Sequence, residues 1–353
     1  MADVKYINHN QLQRSLLLCQ AANVPVCIIG GVGCGKTTAV EDFVKKIDAQ
    51  MEATYHCWKV FLGLVDATDI GGIPIRTDDN RILYAPPSCL PFNTEKAGVI
   101  LGDEYDRSPP EVQNAFNQIL LGGEIHGNKI SPNAFVVLTM NGSSDKYTTG
   151  LSEATRTRMC TLFLSSKAAS SLQDWEKWAK ENGVNPTIQG FARFRNDLIE
   201  SHEQFEEQAM LTARTRDMAG RILDAAEKAP YKTEDIMMPV LAGVIGMAGA
   251  VELMQYQRME KELPDIQSML KNPEKYELDK VWEEHSRCYA VGIAIQNAIN
   301  GDYDLAEGAV KLISYMPNEI AAWAIRGITS ECPEVMTSES YQEFFEKIKK
   351  LIV

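Results

Sequence analysis

Five short apolar runs, each bounded by turn residues, punctuate the first 165 residues, and amphipathic stretches fill the gaps between them. The runs are Val24-Pro25-Val26-Cys27-Ile28-Ile29, Cys57–Leu62, Ala97–Leu101, Phe135–Thr139 and Met159–Leu164. They are almost continuously hydrophobic rather than alternating, which predicts strands buried on both faces. Helical spacing precedes and separates them: residues 10–22, the segment from Lys36 through Ala39, Val40, Phe43, Val44 and Ile47, and a stretch opened by Pro109 and Pro110 that runs through Val112, Phe116, Ile119 and Leu120. Glycines, prolines and turn residues crowd positions 63–93, with Ile73-Pro74-Ile75 and Arg81-Ile82-Leu83-Tyr84 flanking Asp78-Asp79-Asn80. That stretch reads as a small inserted β-hairpin. Strands alternating with helices predict an α/β fold with a parallel five-stranded sheet covered on both faces.

Beyond Ser165 the pattern changes to helical periodicity throughout. Helices are expected over Leu172–Asn182, Ile188–Phe205, Asp217–Lys228, Ile236–Met259, Val281–Ile299, Leu305–Tyr315, Glu319–Ile328 and Ser340–Ile352, with no further strand runs. The expected division is an α/β core at 1–168, a helical lid at 169–255 and a helical C-terminal extension at 256–353. Ile236–Val251 is apolar enough to suggest a membrane span, but it is shorter than the roughly 18–20 residues required and carries Pro239. Ala242, Gly246 and Ala250 recur four apart, which suits close contact with another helix, so a buried helix and no membrane are expected.

The most specific chemistry is Gly30-Gly31-Val32-Gly33-Cys34-Gly35-Lys36-Thr37, a match to G-x-x-x-x-G-K-[ST] placed between a buried strand and a helix. A glycine turn there lets backbone N–H groups surround phosphate oxygens at a helix N-terminus. Gly31, Val32, Gly33, Cys34, Gly35, Lys36, Thr37 and Thr38 are therefore the candidate nucleotide-binding residues. Lys36 would reach the β- and γ-phosphates, and the Thr37 hydroxyl would bind Mg²⁺. An apolar strand then leads into Gly102-Asp103-Glu104. Asp103 suits the metal through its water shell, and Glu104 suits polarisation of an attacking water. Asn141 follows the fourth strand, where it either orients that water or bonds the γ-phosphate, or simply makes an Asn-Gly turn with Gly142. Arg156 and Arg158 precede the fifth strand, a commonplace location that gains meaning only beside the other elements.

Composition narrows the picture. The chain of 353 residues has 45% hydrophobic and 24% charged residues, the profile of a soluble globular protein of two or three domains. Its net charge of −13 argues against a sequence-independent grip on nucleic acid, which needs a basic surface. The eight cysteines contain no C-x-x-C pair, and the five histidines show no ligand or triad spacing. That usage suits free thiols in a reducing cytoplasm. Met1 to Gln13 is polar and lacks the apolar stretch of a secretory leader.

Gly30–Thr37, Gly102-Asp103-Glu104-Tyr105-Asp106-Arg107-Ser108-Pro109-Pro110, Asn141 and Glu153–Arg158, in that order and spacing, resemble AAA+ ATPases of the MoxR-like group. Thr68–Pro74 looks like that group's loop into its inserted hairpin, and Gly122–Gly127 resembles the short hairpin before its sensor strand. The resemblance implies ATP and Mg²⁺ as cofactors, Arg158 as a finger serving a neighbouring subunit with Arg156 beside it, and a homo-oligomeric ring, a hexamer in this group. It also implies a chaperone-like remodelling role on a protein client, often beside a partner with a von Willebrand A-type domain. Thr212-Ala213-Arg214-Thr215-Arg216-Asp217 is similar to the group's second sensor, which makes Arg214, ahead of Arg216, the candidate that reaches the γ-phosphate. Ala213 stands where the group usually has proline, and Met140-Asn141-Gly142 replaces its commoner Gln-Asn-Pro. The alternative is a nucleic-acid motor or loader on the same core, for which the places to look are the hairpin tips near Arg76 and Arg81 or near His126 and Lys129. A small-molecule kinase would leave the Asp-Glu pair and the two arginines without a role, and no Asn-Lys-x-Asp motif supports a GTPase.

Overall fold

The computed structural model describes residues 6–141, 151–165, 168–195, 211–230, 233–299 and 301–352. The chain divides into two compact units, one of Met1–Lys177 with Thr212–Arg214 and one of Trp178–Leu211 with Thr215–Val353.

The first unit is built in the order β1 (Tyr6–Ile7), α1 (His9–Ala21), β2 (Val26–Gly30), α2 (Lys36–Asp48), β3 (His56–Phe61), α3 (Ala67–Gly71), β4 (Ile73–Arg76), β5 (Ile82–Ala85), β6 (Gly98–Asp103), α4 (Pro110–Gly122), β7 (Glu124–Ile125), β8 (Asn128–Lys129), β9 (Ala134–Asn141), α5 (Glu153–Arg156) and β10 (Cys160–Leu164). The main sheet runs β1-β10-β2-β9-β6-β3 with every pairing parallel. The five strands expected from the apolar runs are all present. The sixth, β1, is a two-residue edge strand that pairs Tyr6 with Phe163 and Ile7 with Leu164. Two residues in a polar segment are too few to show periodicity, so the pattern could not reveal it. β4 pairs antiparallel with β5 as the expected inserted hairpin, and β7 with β8 as the second one.

Strand geometry sorts the core, because successive side chains point to opposite faces. Val26 and Ile28 join Val99, Leu101, Phe135 and Val137 on the face covered by Leu12 and Leu16 of α1 and Val40 and Phe43 of α2. Cys27 joins Ile100, Val136 and Leu138 on the other face, under Val112 and Phe116 of α4. Burying each large apolar side chain stabilises the unit by about 1.5–3 kcal/mol. Asn8 caps α1 by accepting from the Gln11 N–H at 2.8 Å while the Gln11 side chain accepts from the Asn8 N–H at 3.0 Å. Gly102 has to be glycine for space: a Cβ there would lie 2.6 Å from a Leu138 methyl and 2.8 Å from one of Leu62. β2 has the later strands β9 and β10 on its two sides, so its C-terminal end opens into the crevice where ligands of parallel sheets bind.

Later elements are α6 (Ala168–Glu181), α7 (Pro186–Phe194), α8 (Ala213–Lys228), α9 (Glu234–Glu262), α10 (Ile266–Lys271), α11 (His285–Ile299), α12 (Tyr303–Ile313), α13 (Asn318–Glu331) and α14 (Glu339–Ile352). The second unit is helical among its described residues, as expected, around a core that includes Val291 and Ile295 of α11, Val310 and Leu312 of α12, and Ala324 and Ile328 of α13. The helix expected from Val281 begins at His285 instead, after a single 3-10 turn at Lys280–Glu283. The expected continuation of α7 from 196 to Phe205 lies outside the described residues, as does Gly142. By length and composition α9 is able to cross a membrane; Gly246 interrupts its helical geometry at φ 78°, ψ 161°, and only 33% of its apolar window is buried, so the helix is less buried than expected.

Candidate functional site

The turn from Gly30 to Lys36 closes the C-terminal end of β2 and starts α2. Gly35, at φ 86°, is the residue before the helix and has no side chain with which to cap the first turn. The opening N–H groups of a 13-residue helix are thereby left to an outside acceptor, for which an anion is the natural choice. Lys36 is buried, and its ammonium donates to the carbonyls of Gly30 and Gly31 at 2.9 Å each and to Asn141 Oδ1 at 3.0 Å. All three of its donors are thus directed to fixed oxygens. Burial lowers the Lys36 pKa, Cys34, Asp106 and Asp103 oppose that, and Arg214 adds to it. A phosphate would relieve the burial cost by supplying a counter-charge.

Opposite the lysine stands Asp103, the last residue of β6 and itself buried. The Thr37 hydroxyl lies 3.0 Å from each Asp103 oxygen, although the two residues are 66 apart in sequence. Thr139 of β9 donates to the same carboxylate. Glu104 leaves the strand in the left-handed region at φ 56°, ψ 43°, which carries its side chain outward. Its carboxylate is 3.7 Å from Arg107 Nη1, an exposed pair worth little energetically. The two neighbouring carboxylates therefore face different ways: Asp103 into the Thr37 hydroxyl, Glu104 toward solvent at the same strand end.

A one-turn 3-10 helix at Tyr105–Arg107 follows, with Tyr105, Asp106 and Ser108 buried. The Ser108 hydroxyl donates to the Tyr105 carbonyl at 2.6 Å, and the Tyr105 hydroxyl donates to Asn117 Oδ1 at 3.2 Å. The N–H of Asn141, which is the last residue of β9 rather than the residue after it, donates to Asp106 Oδ2 at 3.0 Å. Burial raises the Asp106 pKa against the opposing influence of Asn141 and Lys36.

The expected arginines separate into two groups. Arg156 and Arg158 precede β10, whose first residue Cys160 pairs with Val26 at the start of β2. They stand at the opposite end of the sheet from the phosphate turn, about 13 Å away along the strand. Arg156 Nη2 donates to the Leu151 carbonyl at 3.1 Å, while the Arg158 side chain has no hydrogen-bonding or ionic partner among the described residues. Arg214 is an electrostatic neighbour of Cys34 and Lys36 within the first unit, and it is exposed. Arg216 is 2% exposed and belongs to the second unit. Of the two, Arg214 is the one available to a ligand.

Two neighbours of the turn were given no role of their own in the sequence, although Thr212 opens the stretch that resembles the second sensor. His9 Nε2 lies 2.9 Å from the Cys34 carbonyl, which makes that nitrogen the protonated one, and the His9 N–H donates to Asp174 Oδ2 at 2.7 Å. Burial holds the His9 pKa below its ordinary value. Thr212 packs against Gly33, where an added Cβ would meet Thr212 Oγ1 at 2.7 Å. Thr139, by contrast, was detectable as a hydroxyl closing an otherwise apolar run. Cys34, in the turn itself, is a neutral thiol whose pKa burial pushes up.

The chain matches no protein-family model and no curated protein. Among solved structures it is similar to a Thermotoga maritima RuvB mutant, at 17% identity over 76% of this chain and 79% of that one, with a TM-score of 0.42. It is also similar to Brucella abortus NtrX in complex with ATP, at 12% identity over 92% and 68% of the two chains with a TM-score of 0.40. A further likeness is to C. elegans PCH-2, at 11% identity over 73% and 70% with a TM-score of 0.39. These are loose likenesses, and what the site can do follows from its own side chains.

Proposed function

We propose that this chain is a Mg²⁺-dependent, ATP-hydrolysing AAA+ protein of the MoxR-like type that remodels a protein client. The observation that carries the reading is the Thr37–Asp103 contact at 3.0 Å beside the buried Lys36 ammonium. A hydroxyl and a carboxylate converging at the start of an uncapped helix are hard oxygen donors of the kind Mg²⁺ takes. Mg²⁺ uses one or two protein groups and completes its shell with water and phosphate oxygens. That suits this chain, which among its described residues has no cluster of three or more His, Cys, Asp or Glu able to hold a metal. When bound, the ion neutralises charge on the transferring phosphoryl group.

The chain's own residues supply the rest. Lys36 turns from the Gly30 and Gly31 carbonyls to the phosphates, the N–H groups from Gly31 to Thr38 surround them, and Asn141 and Arg214 face the γ-phosphate. Glu104, at the same strand end and open to solvent, accepts a proton from the attacking water. Arg158, remote from its own Lys36 and unpartnered among the described residues, serves the site of a neighbouring copy in a head-to-tail assembly, a closed ring such as a hexamer in this reading. A core, a lid and a C-terminal extension divided near 168/169 and 255/256, a reducing cytoplasm and a von Willebrand A-type partner belong to the same proposal. The nucleic-acid motor is less well supported. At the hairpin tip Arg76 donates to Asn80 at 2.7 Å and Arg81 lies 2.9 Å from Asp79, so these arginines are engaged locally, within a chain of net charge −13.

Glu104→Gln tests the reading. It should lower ATP turnover by about 10²-fold or more while nucleotide still binds. Turnover at the parent rate would remove Glu104 from the chemistry. Mass measurement with and without a slowly hydrolysed ATP analogue tests the ring.

A further inference from the structure

A buried carboxylate is costly unless its oxygens are engaged, so Asp106, at 1% exposure, needs a reason to be where it is. Its location supplies one. Parallel pairing of β6 with β9 ends at Gly102 and Leu138, because β6 turns away at Asp103 and Glu104. β9 continues three residues further, to Asn141, held on its other side by β2 through Gly30. The Asn141 N–H is satisfied by the Asp106 carboxylate at 3.0 Å. Thr139 Oγ1, at 3.4 Å from the Glu104 N–H, makes a second and longer tie between the same two segments.

Both ends of the Asp106 link are firm. The turn that carries it is braced by the Arg107 N–H on the Glu104 carbonyl at 3.0 Å, by the Ser108 hydroxyl on Tyr105, and by the Gln113 amide on the Ser108 carbonyl at 3.1 Å. At the far end, Asn141 Oδ1 is 3.0 Å from Lys36 Nζ. One carboxylate therefore connects the turn presenting Glu104 with the strand end presenting Asn141 to the phosphate-binding lysine.

We propose that Asp106 is a positioning residue that yokes Glu104 to Asn141 through the Asn141 main-chain N–H, so that the water-polarising carboxylate and the phosphate-facing amide hold one fixed spacing. The inference rests on the ATPase reading above and deepens it. Asp106 touches neither phosphate nor water in this role. It acts as an acceptor at a given place, and its negative charge is secondary.

The test compares Asp106→Ala, Asp106→Asn and Asp106→Glu, each checked for a cooperative thermal transition, by ATP turnover and separately by equilibrium nucleotide binding. Asp106→Ala should lose up to about 10²-fold in kcat, the scale of a misplacement near 1 Å, with nucleotide Kd changed less than about threefold. Asp106→Asn keeps an acceptor oxygen at the same reach and should retain more activity than Asp106→Glu, whose carboxylate is displaced by a methylene. In an Asn141→Ala background, Asp106→Ala should cost less than about twofold more, since the amide it positions is gone. Should Asp106→Ala not fold, the Asn-over-Glu order decides alone. Parent-like kcat in a folded Asp106→Ala protein, Glu outperforming Asn, or full additivity with Asn141→Ala each overturns the yoke. Those results presuppose a parent that hydrolyses ATP. A parent with no ATPase activity overturns the ATPase reading itself, and the yoke with it.

Discussion

The two ends of the main sheet use polar residues in opposite ways. At the C-terminal end, Lys36, Asp103, Asp106 and Thr139 are buried and bonded to fixed protein groups. At the N-terminal end, Arg156 is exposed and Arg158 half-buried, and the latter has no partner among the described residues. A buried network is rigid, because each polar group left unpaired there costs more than its bond contributes. A half-buried cation with no partner of its own is under no such constraint. The difference is between polar groups that the fold fixes and one that it leaves unengaged among the described residues.

That contrast is most exposed to Arg158→Ala. It should lower ATP turnover by about 10³-fold or more under conditions where the chain assembles, with nucleotide affinity nearly unchanged. Mixing Arg158→Ala with Glu104→Gln protein should restore part of the activity, since some mixed sites then combine an intact glutamate with an intact arginine. Normal turnover by Arg158→Ala, or no recovery on mixing, breaks the shared-site idea.

Phe116→Ala addresses the support beneath the C-terminal end. Phe116 is fully buried on α4 against the strand that carries Asp103, and its loss should cost about 3–5 kcal/mol in denaturant unfolding. Gly102→Ala should cost less, about 1–3 kcal/mol, because the methyl overpacks against Leu138 and Leu62. It should nonetheless slow turnover beyond what Phe116→Ala does per folded molecule, since Gly102 directly precedes the two carboxylates.

The smallest effect concerns His9. Burial holds its folded pKa below the ordinary 6.5, so the unfolded chain takes up its proton first as pH falls. Stability contributed by neutral His9 is therefore present above 6.5 and declines below it. His9→Asn should flatten the slope of unfolding free energy between 6.5 and more acidic pH by at most about 1.4 kcal/mol per pH unit. Thermal unfolding across that range, parent against variant, reads it directly.

Much of the core was legible beforehand because its signals are local. Near-continuous apolar runs marked the five main strands, Pro110 marked the first turn of α4, and Asp78-Asp79-Asn80 marked the tip between β4 and β5. β1 escaped notice because two residues have no period. Asp106 was visible inside the Gly102–Pro110 stretch but carried no role, since its partner Asn141 is 35 residues away. His9 was invisible as a neighbour of the glycine turn for the same reason, whereas Thr212 lay in the stretch that resembles the second sensor without a contact of its own being foreseen.

By itself, then, the sequence determined the strand–glycine turn–helix unit at 26–48 and the acidic residues that end β6. Periodicity and backbone freedom act within a few residues and survive in any tertiary setting. Tertiary structure alone decided that Thr37 meets Asp103, that the Asp106 carboxylate takes the Asn141 N–H, and that Arg158 stands at the far end of its own sheet. Those facts depend on strand order and on burial between segments distant in the chain, where one packing arrangement out of many selects which side chains meet.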